Sequence, residues 1–481
     1  GTRANAATWS SAAHKRRAFP AARLASTSLR ATHPPIVHGL TMAALADLVS
    51  RPAEWPGAAM AALAAAVFAA LDVVDVLLCL VYGVLDGFLE ESPLGCYCQR
   101  SRGKAPAGEE DDGVSDTLYV RRSACRDALL RLLGPVGGGT RRKEDASPAK
   151  ARSPRWSDCG CGKCGKWWSN GGDRLHFVLQ EPTAPNKGAE ETRSESDRGD
   201  DAIFIHGFTS SSSFWAQTVF PEPAAANHRR LIAVDLLGFG DSPKPVNCAY
   251  TLRDHVEAIE RSLIDPLHLG SFHLVSHSMG CTIAIALAAK HPARVKSVTL
   301  VAPLYFLPCE ERASQVALRR LAEKKLWPPL LFGSAVMSWY EHIGRTICFV
   351  VCKNHRFWEW LIKILTRTSG VDIVVRDLTR HTHHSAWHTM HNVICGGARA
   401  QDRNLEALAA AGVPVRVVHG DADQVVPVEC SSRHLKSKLP HAELRIVGGR
   451  DHRTVVFGRE EELAQELRAF WSGCEKAGCA G

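Results

Sequence analysis

The stretch LVSHSMGC, Leu274 to Cys281, carries an apolar run into a serine and then a glycine. Ser278 lies between His277 and Met279, and Gly280 stands two places on. This is close to a G-x-S-x-G pattern in which Ser276 takes the place of the first glycine. The residues around Leu274, SFHLVSHS, read as a buried strand, and MGCTIAIALAAKHP reads as a helix closed by Pro292. A strand that turns straight into a helix at a serine exposes the hydroxyl on a tight turn. The helix amino terminus behind it offers N–H groups to a developing oxyanion. Small residues on either side of the serine let the turn approach its neighbours. Gly280 meets that need, and Ser276 can where one hydroxymethyl has room. Ser278 is the candidate nucleophile.

Outward from this point the chain alternates between apolar runs and helical patterns. AIFIHGF and RRLIAVD have the continuous apolar character of buried parallel strands, VKSVTLVAP, VPVRVVHG and AELRIVGG read as later strands, and RLHFVLQE as an earlier one. Between them, Leu252, Val256, Ile259 and Leu263 share one helix face, and EEELAQELRAFW is a last amphipathic helix. The alternation predicts an α/β fold with a mostly parallel central sheet flanked by helices. No internal repeat is apparent.

A serine hydroxyl needs a base to take its proton, and the base needs a carboxylate to orient it. On this architecture the acid and the histidine follow the serine in that chain order. VRVVHG ends in DADQVVP, and ELRIVGG ends in RDH, so Asp423 and His452 are the expected partners. Asp421 is the rival acid, in the first turn after its strand, and Asp451 reads as a surface carboxylate. The oxyanion donors are expected to be the backbone N–H groups of Phe208, after the strand ending in His-Gly, and of Met279. No substrate-binding residue is assigned. Gly238 and Gly240 in GFG shape a turn rather than a dinucleotide site, since no third glycine opens a helix and Pro243 and Pro245 intervene.

The formal net charge is +8, but residues 1–46 hold six basic and no acidic residues, leaving +2 on the rest. A near-neutral body excludes a dedicated nucleic-acid binder. The acid-free opening has the look of an organelle transit peptide, but non-native extension before Met42 or Met60 is the favoured expectation. Ala58 to Leu89 is an apolar leader whose Asp72, Asp75 and Asp86 would be costly at membrane depth. It is expected to be a signal sequence or signal-anchor that associates with a membrane, with a buried amphipathic helix as the other reading. The secretory pathway is the expected destination, with an organelle as the alternative.

Sixteen cysteines suit an oxidising compartment. CGCGKCG holds Cys159, Cys161 and Cys164, which invites a zinc reading with His176 as fourth ligand. Without a second C-x-x-C pair the match is incomplete, so disulfides are expected and neither metal nor cofactor is assigned. His381, His384, His388 and His391 share one helical face and are expected at a lid–core seam rather than on a metal.

The motifs FIHGF, DLLGFGDSPKP, SHSMG, HGDADQVVP and DH resemble the α/β-hydrolase superfamily over roughly residues 171–473. FWAQTVFP, WYEHIGRTICFVVCKNHRFWEWL, HTHHSAWHTMHNVICG and the leader LDVVDVLLCLVYGVLD resemble, more narrowly, the plant BODYGUARD proteins. The resemblance implies a lysophospholipase-like hydrolase of the epidermal cell wall with a role in cuticle (cutin) formation, and a triad on Ser278, Asp423 and His452. The expected organisation is a basic extension (1–57), the leader (58–92) and a low-complexity linker (93–170). A hydrolase core in two parts (171–303 and 404–473) follows, with a helical lid between them (304–403) and a short tail (474–481). The lid's Trp327, Trp339, Trp358, Trp360 and Trp387 suit either an acyl-chain cover or the lid's own core. Two functions are open at this stage: a serine hydrolase or acyltransferase on lipid-like acyl esters, or a hydrolase-fold protein that binds a lipid or signal without turnover.

Overall fold

Seven short strands, most of them aliphatic and β-branched, build one sheet: β1 (Phe177–Gln180), β2 (Asp201–Ile205), β3 (Leu231–Val234), β4 (Phe272–His277), β5 (Val295–Val301), β6 (Val415–Gly420) and β7 (Glu443–Val447). Their order is β1-β3-β2-β4-β5-β6-β7, with β1 antiparallel to β3 and every other pairing parallel. The computed structural model describes residues 57–90, 113–119, 154–166 except 163, 174–182, and 200–478 except 226–228, 305, 307–311 and 367–372. The expected basic extension before residue 57, and Cys96, Cys98 and Cys309, lie outside the described residues.

Strand β4 is central, and all six of its residues are buried. Its alternation divides the core. Leu274 joins Ile203, Ile205 and Val298 on one face, and Val275 joins Phe204, Trp215 and Trp471 on the other. Burial on both faces is why β2 and β3 read as near-continuous apolar runs.

Among the helices of the described residues are α1 (Gly57–Leu89), α2 (Leu252–Ile259), α3 (Met279–Lys290), α4 (Ala313–Leu321), α5 (Pro329–Trp339), α6 (Glu341–Val350), α7 (His355–Thr366), α8 (His383–Thr389), α9 (Gly397–Ala410) and α10 (Glu460–Gly478). Thr251 caps α2 reciprocally with Asp254, which fixes its start. Helices α4 to α8 fall in the expected lid. Helix α9 begins at Gly397, earlier than its sequence pattern suggests and inside the lid's expected boundary. A Cβ on Gly397 would stand 2.8 Å from Thr282 of α3, so a residue that reads as a breaker serves as a close-packing contact.

The apolar leader is one helix, α1, and it docks on the lid. Its buried residues Phe68, Asp75, Tyr82 and Asp86 form one stripe. Phe68 meets Phe332 and Tyr340, and Asp75 accepts the His342 N–H at 2.9 Å. Asp86 takes both arms of the Arg345 guanidinium at 2.6 and 2.7 Å. Two of the three acidic residues that are costly in lipid, Asp75 and Asp86, thus meet lid partners. Leu77, Val81, Val84 and Phe88 remain exposed.

Within the expected linker, two pieces are packed. Leu118 enters the main core, and Ser115 N–H donates to Asn392 Oδ1 at 2.9 Å. Arg155 and Trp156 hold Asp86 at 3.0 and 2.6 Å. Neither piece is long enough to show a period in the sequence.

Candidate active site

Ser278 closes β4 with φ 53° and ψ −120°, a left-handed conformation that costs a non-glycine residue about 1–3 kcal/mol. Its N–H is held by Val301 C=O at 2.9 Å, and α3 starts on the next residue. Sequence and structure agree on why glycine follows. A Cβ on Gly280 would stand 2.6 Å from His206 C=O and 2.8 Å from Ile205 C=O. Ser276, at the usual first glycine, is fully buried and turns its hydroxyl to Thr299 C=O at 3.3 Å, so its extra oxygen has room.

His452, on the loop after β7, lies with Nε2 2.9 Å from Ser278 Oγ. Its Nδ1 is 2.7 Å from Asp423 Oδ2, on the loop after β6. A carboxylate only accepts, so Nδ1 carries the proton and Nε2 presents its lone pair to the serine hydroxyl. Asp423 also accepts from the N–H groups of Val425 and Val426 at 2.8 and 2.9 Å. Burial alone would raise its pKa, but hydrogen bonds from His419 and His452 outweigh it and hold the group well below the usual carboxylate range. The three expected residues are brought together. Asp421 instead faces outward, with Oδ1 accepting the Gly449 N–H at 2.6 Å, and Asp451 caps the His452 loop through Arg453, Thr454 and its own hydroxyl partner.

The backbone at Gly207, next to the expected donor Phe208, approaches the serine. A Cβ on Gly207 would come within 3.1 Å of Ser278 Cβ, so the Gly207–Phe208 peptide lies directly against the nucleophile. Met279 opens α3, and first-turn N–H groups have no acceptor inside their own helix. His206 steadies the turn: Nδ1–H donates to Gly207 C=O at 2.7 Å, and Nε2 accepts the Leu236 N–H at 2.9 Å.

Two site residues escape a sequence reading. His419, the last-but-one residue of β6, donates through Nε2 to Asp423 Oδ2 at 3.0 Å, while its Nδ1 takes the Ser432 hydroxyl at 2.6 Å. His277, beside the nucleophile, donates through Nε2 to His452 C=O at 2.9 Å and stacks on Phe214. Burial, aided by the neighbouring His452, pushes its pKa down to about 3, so it is a neutral brace. In both cases the only signal is adjacency to a motif.

The lid histidines divide. His384 and His388 meet the backbone carbonyls of Cys248 and Ala249 at 3.0 and 3.2 Å across the lid–core seam, whereas His391 meets Thr117 of the packed linker piece at 3.1 Å. His381 faces Cys348 and Cys352 instead. His176, considered as a fourth partner for the three clustered thiols, pairs with Asp235 at 2.9 Å. The imidazole that faces those thiols is His355, 191 residues beyond the last of them.

Residues 203–324 match the family model described as alpha/beta hydrolase fold. The chain is similar to three Arabidopsis thaliana proteins. It is 47% identical to Probable lysophospholipase BODYGUARD 4, over 89% of this chain and 100% of that protein. It is 44% identical to Probable lysophospholipase BODYGUARD 5, over 85% and 95%. It is 39% identical to Probable lysophospholipase BODYGUARD 1, over 84% and 94%. With near-complete coverage of those relatives, and the fold that the family model describes, the chain belongs to the BODYGUARD family of α/β-hydrolase-fold proteins.

Proposed function

We propose that this chain is a serine hydrolase of lipid-like acyl esters. The observation that carries the reading is the line from Asp423 through His452 to Ser278, at 2.7 and 2.9 Å, behind a left-handed serine at a strand–helix turn. In this account Ser278 Oγ attacks the ester carbonyl carbon as its proton passes to His452 Nε2. Asp423 stabilises the imidazolium, and the N–H groups of Phe208 and Met279 receive the oxyanion. Collapse expels the alcohol, which takes the proton back from His452, and leaves an acyl group on Ser278. Water then repeats the sequence and releases the acid. Acyl transfer differs only in that another hydroxyl replaces water, and a role in cutin assembly would use that branch.

The names of the relatives support a lysophospholipid-type substrate. The exposed apolar face of α1 (mean hydropathy 2.4 over its best window) supports association with a membrane surface. Because Phe68, which cleavage after Ala69 would remove, is buried against Phe332 and Tyr340 of the lid, the helix suits a retained segment lying along that surface. Entry to the secretory pathway follows from the same segment and is checked by the location of a reporter fused after Glu91, with the fragment begun at Met42.

The activity test is acid release from a lysophospholipid by the full chain, with glycerol present and absent. The reading expects Ser278-dependent release, with glyceride appearing if transfer operates. Product formation unchanged in Ser278→Ala would contradict it.

A further inference from the structure

Outside the candidate active site, four ligand-type side chains converge from distant parts of the chain. Cys159, Cys161 and Cys164 come from the packed piece before β1, and His355 from the first turn of α7. Their ligand atoms all lie within 4.8 Å of one another. Nε2 of His355 stands 3.4 Å from Cys161 Sγ and 3.6 Å from Cys164 Sγ. Zinc–sulfur bonds of about 2.3 Å and zinc–nitrogen bonds of about 2.0–2.1 Å at a tetrahedral angle set a sulfur–nitrogen edge of about 3.5–3.6 Å. The observed spacing is that edge.

The imidazole is also prepared for the role. Its Nδ1 donates to Glu359 Oε1 at 3.0 Å, one turn along α7. That bond puts the proton on Nδ1 and turns the Nε2 lone pair toward the sulfurs. A carboxylate behind a ligating histidine is the arrangement that orients it on a metal. The C-x-x-C segment bends back on itself, with the Gly165 N–H on Cys161 C=O at 2.7 Å. Cys159, Cys164 and His355 are buried. A disulfide among the thiols would use two sulfurs and leave the histidine and its carboxylate without a purpose.

We propose that Cys159, Cys161, Cys164 and His355 form a structural Cys3His zinc site that clips the segment behind the leader to the lid. Four protein ligands close the coordination sphere, so the ion has no position for substrate. Its effect is mechanical. The clipped segment carries Arg155 and Trp156, which grip Asp86 of α1 beside Arg345. The site therefore fixes the leader on the lid from one end.

The test is metal analysis of the full chain, purified in detergent without chelator from zinc-supplemented cells. The expected result is that Cys161→Ser and His355→Gln each carry one zinc fewer per chain than the parent. A neighbouring trio, Cys348, Cys352 and His381, offers three donors, and any metal it holds would persist in both variants. Because either variant could misfold, the parent is also read with cobalt in place of zinc. Sulfur-to-cobalt charge-transfer absorption with tetrahedral intensity is expected. Stoichiometric zinc unaltered by both substitutions, a parent chain without zinc, or a disulfide joining any two of Cys159, Cys161 and Cys164 in peptide mapping would each overturn the proposal.

Discussion

His419 and His452 donate to the same oxygen of Asp423, at 3.0 and 2.7 Å. His419 is fully buried and its other nitrogen is held by Ser432, so its ring acts as a fixed support for the acid. Hydrogen bonds to a charged group contribute about 1.5–3 kcal/mol. His419→Leu should therefore lower kcat by about 10- to 100-fold with KM little changed. Steady-state kinetics on folded variant measures it. Loss confined to KM would remove His419 from the account of the site.

The two aspartates of the DADQ turn separate cleanly. Asp423→Asn should cost about four orders of magnitude in kcat, because the imidazole is no longer held in the right tautomer. Asp421→Asn gives up only an exposed contact with the Gly449 N–H and should stay within a few-fold of the parent. A dead Asp421→Asn beside an active Asp423→Asn would reassign the acid.

Ser276 and Gly280 bracket the nucleophile unequally. Gly280→Ala drives a methyl into the carbonyls of His206 and Ile205 and should abolish Ser278 reactivity even where the chain folds. Ser276→Gly restores the commoner pattern, removes one weak hydrogen bond to Thr299, and should leave turnover near the parent's. Probe labelling of the two variants side by side checks this. Full labelling of Gly280→Ala would show that the turn has slack.

These expectations show what a sequence can and cannot carry. The fold was legible because burial on both faces makes parallel strands into unbroken apolar runs, as in Ala202–Ile205. Ser278, Asp423 and His452 stood out because each ends or follows such a run. His419 and His277 did not, since a brace is defined by what it touches. His355 faces thiols nearly 200 residues earlier, a separation no local spacing reports, so His176 took its place in the reading. Asp75 and Asp86 of the leader read only as a cost in the sequence, because the His342 N–H and Arg345 that face them lie more than 250 residues away.

That leader contact is measurable. The Asp86–Arg345 pair is buried and bidentate, and removing one partner strands a charge at a cost of about 3–5 kcal/mol. Asp86→Ala should destabilise the full chain in detergent by that order, whereas Asp72→Ala should change little. Equal melting temperatures for the two would mean that the helix is not docked as described.

Acid should loosen the fold through His277. Its pKa is pushed down to about 3 in the folded chain, against about 6.5 when unfolded, so the unfolded state binds the extra proton in between. The stability it contributes is complete above about pH 6.5 and is lost as pH falls toward 3. Asp158, raised to about 6 by burial, pulls the other way over part of this window, so the comparison must be differential. His277→Phe should lose stability on acidification less steeply than the parent, by up to about 1.4 kcal/mol per pH unit. Identical slopes would leave His277 out of the acid response.

The most direct measurement of the central claim is active-site labelling of the folded full chain with a fluorophosphonate, followed by mapping of the adduct. The account predicts one stoichiometric phosphonyl group on Ser278, absent in Ser278→Ala and formed slowly or not at all in His452→Ala. A folded parent chain that stays unlabelled, or an adduct on any other residue that survives Ser278→Ala, would contradict it.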